Sequence, residues 1–247
     1  MGFTPKHMAY KRPLFGRSKS EKEKENYKKS IYYFWWVFLR LNEDYKKCCE
    51  NGGKGEMSRL YDDFGDVFTL DFKQWWQGDD RGNRLFAEKP LPEFGEIKTE
   101  SDFYIDGNVL NVRIPLDLPK RYLEKKFNEL LKKNHKGKRG VRITSTAMYP
   151  VVGHVDLTSI ENSLAVYNMK LENPKMKLYE LAQACGVGRK LHYIQENDSK
   201  LKGDNTGSKV ILSNTAKRYL KNAERMIANV GIGQFPSCKK ETIEQYQ

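Results

Sequence analysis

The densest chemistry in this chain is cationic. Between positions 120 and 142 stand Lys120, Arg121, Lys125, Lys126, Lys132, Lys133, Lys136, Lys138, Arg139 and Arg142, opposed only by Glu124 and Glu129. Over "LPKRYLEKKFNELLKKNH" the apolar residues Leu123, Phe127, Leu130 and Leu131 share one face of a helix, and the cations take the other. A helix holds such cations in a row, and a row of cations can neutralise successive phosphates. A charge run can also be a solvated helix face. Its density here, and its continuation into the turn "KGKRGVR", favour phosphate contact.

A second cationic group, Arg189, Lys190 and His192, closes "LYELAQACGVGRKLHYI" at 178–194. Helix-turn-helix units often place a small residue four positions before a turn glycine. Ala182 and Gly186 have that spacing, with Leu181, Cys185 and Val187 at apolar positions. In such a unit the three cations would read base edges or touch phosphate. The second half departs from the pattern, because His192 and Gln195 fall where a recognition helix needs buried side chains. The plainer meaning is a core helix stopped by a glycine cap.

Other residues of reactive type are less well placed. Asp62, Asp63, Asp66 and Asp71 in "YDDFGDVFTLD" supply enough carboxylates for a magnesium-dependent nuclease. No lysine or histidine on a scaffolding strand is evident beside them, and capping with solvation accounts for them as well. Trp35, Trp36, Trp75 and Trp76 have rings able to stack on bases, but they lie in net-acidic sequence that repels phosphate, so core packing is expected. The cysteines (48, 49, 185 and 238) and the histidines (7, 135, 154 and 192) show no zinc-ligand spacing. No phosphate-loop, G-x-S-x-G or H-E-x-x-H motif occurs, so no enzymatic activity, cofactor or metal is expected. Four cysteines without a C-x-x-C pair read as free thiols in a reducing cytoplasm.

These groups sit in a chain of 247 residues carrying 44 Lys and Arg against 32 Asp and Glu, a formal charge of +12, with 38% apolar and 12% aromatic residues. That composition excludes a disulfide miniprotein and a wholly disordered chain. The most apolar run, "IYYFWWVFL" at 31–39, is too short for a bilayer crossing, which needs about 20 residues. It lacks a cleavage site as well, so neither a targeting segment nor a membrane partner is expected. The charge is uneven. Residues 1–30 hold 9 basic and 3 acidic side chains, 31–104 hold 10 and 15, and 105–142 hold 11 and 4.

The elements that must position the cations follow from the pattern. Residues 1–30 read as a flexible basic arm. A helical aromatic and acidic subdomain with its linker covers 31–97, including one helix over 31–50 and two short ones over 56–88, with Thr69 as an N-cap. An α+β subdomain with the basic helix covers 98–172. Asp106-Gly107 between apolar β-formers predicts a hairpin near 103–116. Asp117 is placed to cap the basic helix, and alternation predicts a strand near 141–151. Thr158 and Glu161 have capping-box spacing for the next helix. A helical C-terminal subdomain covers 173–247, with a polar loop at 195–209 and a last helix ending at Gly231. The expected fold class is α+β, predominantly helical, with a small antiparallel sheet.

Four phrases taken together, "YYFWWVFLRLNEDYKKCCENGGKG", "LYDDFGDV…DFKQWW…LFAE", "IPLDLPKRYLEKKFNELLKK" and "RYLKNAERMIANVGIGQFP", resemble a group of uncharacterised bacterial proteins of prophages and other mobile elements. The resemblance spans most of residues 30–236. It implies a phage or phage-defence setting and transfers no functional residue. The expectation is therefore a cytoplasmic, non-enzymatic nucleic-acid-binding protein, with DNA preferred to RNA. One alternative is a protein-interaction subunit of a defence or counter-defence complex that docks through the 31–88 aromatic and acidic block. The other is a metal-dependent nuclease.

Overall fold

A computed structural model describes residues 8–15, 25–88, 110–135, 145–188 and 205–239. Aromatic density organises the first half. Helix α1 (Ile31–Arg40) buries seven of its ten residues, so it is covered on nearly every side. The Ser30 hydroxyl opens it by accepting from the Tyr32 N–H. The single helix expected over 31–50 is two: after a break at Leu41 and Asn42 comes α2 (Glu43–Glu50). Asn42 makes the break productive. Its side-chain oxygen caps α2 at the Tyr45 N–H, and its amide nitrogen donates to the Ile227 carbonyl at 2.8 Å.

Three short helices follow where two were expected: α3 (Ser58–Phe64), α4 (Phe72–Gln77) and α5 (Arg81–Phe86). Asp71, not Thr69, caps α4, in a reciprocal box with Gln74. Trp35, Trp75, Phe64, Phe86 and Phe38 are fully buried around α1. Gly82 admits this packing: a Cβ there would lie 2.2 Å from the Trp76 ring, which stacks on Phe86. The N-terminal residues join the same core. Met8 is buried, and Phe15 packs on Tyr27 and Phe72, so the described parts of the expected basic arm lie against the core.

The basic helix is α6 (Lys120–Asn134), followed by α7 (Leu157–Glu172), α8 (Leu178–Ala184) and α9 (Asn205–Val230). Asp156 caps α7 through the Ser159 N–H, in place of the Thr158 box. Helix α9 begins at Asn205, inside the stretch expected as loop. It packs on α8, α7 and α1. Its Ala223, Met226 and Val230 enter the aromatic core, while Leu212 and Ala216 join Val166, Leu181, Ala182 and Val187 in a second cluster.

The expected sheet is not found. Among the described residues there is no strand; Met8–Ala87 and Val151–Phe235 are isolated bridges. Residues 110–115 run without a ladder, and 103–109 and 141–144 lie outside the described residues. At 145–151 the backbone is satisfied at separate points: the Tyr149 N–H donates to Leu85 and the Val152 N–H to Phe235. Alternation makes a strand only when a neighbour supplies a continuous row of partners. Here helix ends and turns supply them singly, and the Tyr149 ring enters the aromatic core against Phe64. The described fold is all-α.

Candidate nucleic-acid interface

Helix α6 lies in sequence between Glu88 and Ser145, two described residues that a hydrogen-bonded clamp joins. The Glu88 carboxylate accepts from the Ser145 hydroxyl, from the Thr146 N–H at 2.6 Å and from the Thr146 hydroxyl at 2.9 Å. Burial pushes the Glu88 carboxyl up, but hydrogen bonds from Ser145, Thr146 and Ala147 outweigh it and hold the group below its ordinary value. Nothing near Glu88 in sequence marks this role, because the partners lie almost sixty positions away.

None of the side chains of α6 is buried. The helix starts two residues later than a cap at Asp117 requires. Pro119 occupies the N-cap position, its carbonyl accepts from Tyr122 and Leu123, and no side chain caps the end. Proline suits this place because its fixed φ and missing N–H cost nothing there. At the other end Lys132 and Lys133 lie in the last turn, where the helix dipole favours cations.

The cations divide into two sets. Lys126 pairs with Glu129 at 2.9 Å and Lys120 approaches Glu124 at 3.9 Å. The Glu129 hydrogen bond raises Lys126 above its ordinary value, and the same bond lowers Glu129. Arg121, Lys125, Lys132 and Lys133 form no ion pair among the described residues and are exposed. At about 100° per residue, Arg121, Lys125 and Lys132 align along one line, with Leu123, Phe127 and Leu130 on the opposite side. The line is about 16 Å long. A nucleic-acid strand carries one phosphate per about 3.4 Å of axis, so the row spans about five such steps with three cations. Lys136, Lys138, Arg139 and Arg142 lie outside the described residues, and so do Arg189, Lys190 and His192 of the helix-turn-helix-like segment.

What is described of that segment is a stopped helix. The Val187 N–H returns to Ala182 and the Gly186 N–H to Gln183, while Gly186 takes φ 67°. This is the glycine-terminated Schellman arrangement. Leu181, Ala182 and Val187 are buried in the second cluster. A further exposed cationic group, Lys217, Arg218 and Lys221, lies on α9. Arg225, beside it, donates to the Cys238 carbonyl.

Of the other reactive residues most are committed to structure, and Asp62 is exposed. Asp63 accepts from the Tyr149 hydroxyl at 2.6 Å, Asp66 from the Phe68 N–H, and Asp71 caps α4. Burial, followed by the bond to Asp63, raises the Tyr149 hydroxyl well above its ordinary value. Among the described residues no group of three or more His, Cys, Asp or Glu is placed to hold a metal ion. The four cysteines are unbridged, and burial pushes the Cys49 thiol up to about 11, far from a thiolate nucleophile. All four tryptophans are buried, so none offers a stacking face to a base. No helix among the described residues is long and apolar enough to cross a membrane. Comparison with protein-family models, curated proteins and solved structures finds no match.

Proposed function

We propose that this is a cytoplasmic, non-enzymatic nucleic-acid-binding protein, with DNA preferred to RNA, of a bacterial prophage, mobile element or phage-defence system. It grips the phosphate backbone with α6. The supporting observation is the row of exposed Arg121, Lys125 and Lys132, without an ion pair among the described residues, on a helix none of whose side chains is buried. Lys133 and the cations of α9 extend the basic surface. The rival in which a partner protein docks on the 31–88 block has less support, since most of the aromatics of that block are buried.

A mobility shift with salt titration tests the reading. Neutralising about five phosphates predicts a log–log slope of about −4.5 for duplex and a shallower one for single strands. Protein that shifts neither DNA nor RNA at 50 mM salt would overturn it.

A further inference from the structure

Helices α7, α8 and α9 leave a cavity of about 620 Å³ between them, within the size range of small-ligand sites. Asn162 of α7 forms one wall, and the turn Gly186–Val187–Gly188 that stops α8 forms another. The third is a face of α9 carrying Ile211, Thr215, Arg218 and Tyr219 at helical spacing. Both glycines have positive φ, so this turn brings bare backbone to the cavity.

The chemistry of these walls is specific. Among the described lining residues there is no carboxylate, and Arg218 is the one cation. Its guanidinium lies over the Tyr219 ring at 5.1 Å and forms no ion pair among the described residues. A guanidinium held on a ring presents a flat cationic platform, which suits both a phosphate and the face of a base. The amide nitrogen of the lining residue Asn162 reaches the Tyr219 hydroxyl at 3.5 Å, which leaves its amide oxygen as an acceptor. The Thr215 hydroxyl donates to the Ile211 carbonyl and keeps its lone pairs. A guanidinium for an anion and the acceptor oxygens of Asn162 and Thr215 match two parts of a nucleotide, its phosphate and its base edge.

We propose that this cavity takes one nucleotide of an unpaired or locally opened strand, with its phosphate on Arg218 and its base edge toward Asn162. The proposal deepens the nucleic-acid reading and rests on it for the source of the nucleotide; a free mononucleotide has the same chemistry.

The test uses the full chain at 50 mM salt with four nucleoside 5′-monophosphates, a 12-nucleotide single strand and the matching duplex, read by calorimetry and anisotropy. The wild type should bind single strand more tightly than duplex. R218E should lower single-strand affinity about tenfold and abolish that preference. N162A should change the ranking of the bases. The double variant K125E/K132E should weaken both forms alike. Thermal melts check folding, and R218Q replaces R218E if the latter is unfolded. Mononucleotide binding that depends on Arg218, without binding to any strand, would support the cavity as a free-nucleotide site and overturn the reading of α6. Strand binding that R218E and N162A leave within twofold of wild type would overturn the cavity and leave α6 standing.

Discussion

Trp35 and Trp75 are buried to the same depth and differ by one hydrogen bond. The Trp75 indole donates to the Phe64 carbonyl at 2.7 Å, whereas the Trp35 indole nitrogen has no partner among the described residues. Replacing either with Phe opens a similar void. Only W75F also strands a buried carbonyl, so it should cost about 1 kcal/mol more than W35F in denaturant melts. Gly82 gives a second contrast. Alanine favours a helix by about 1 kcal/mol, but its Cβ would strike the Trp76 ring, held between Tyr32, Phe72 and Phe86. Overpacking should win, and G82A should lower the melting temperature. Glu88 supplies a pH signature. Its carboxyl is depressed in the folded state, so its contribution is present at neutral pH and lost as pH falls below the ordinary glutamate range. E88Q should destabilise by about 1 kcal/mol at pH 7, allowing for solvent screening, and the gap to wild type should close below about pH 4.

At the scale of elements, periodicity located most of the helices, while caps and breaks depended on more than spacing. The stripe of Leu123, Phe127 and Leu130 is legible because every third or fourth position repeats it. The break at Asn42 is not legible in the same way. Its local signal is a cap, Asn42 followed by Glu43 and Asp44 in the first turn of α2, and its second anchor is the Ile227 carbonyl, 185 positions away, which no spacing shows. The charge pattern of α6 sorts its lysines. K125Q or K132Q should each reduce the salt slope by about one, whereas K126Q should change it less, because Lys126 already answers Glu129. Equal effects at 125 and 126 in a parallel salt titration would contradict this division.

For the whole molecule, the placement of α6 outside the core has a direct consequence. Its side chains are unburied, and the described residues Glu88 and Thr146, on either side of it in sequence, meet. Replacing residues 89–144 with a short Gly/Ser linker should keep the helical circular dichroism of the core and a cooperative melt, and should remove most nucleic-acid binding. Loss of the cooperative melt would show that the segment is structural.

The sequence by itself determined the helices with strong stripes, the glycine stop at Gly186, the burial of the paired tryptophans and the concentration of charge over 120–142, because each depends on neighbours within a few positions. Only the tertiary structure decided that the alternating residues near 110–116 and 145–151 form no sheet in the described chain, that Glu88 is clamped to Ser145 and Thr146, and that Arg218, Tyr219 and Asn162 share a cavity. Each depends on which distant partner meets a backbone group, carboxylate or guanidinium. No local spacing carries that information, since the energy of a ladder or a clamp lies in the pair and not in either segment.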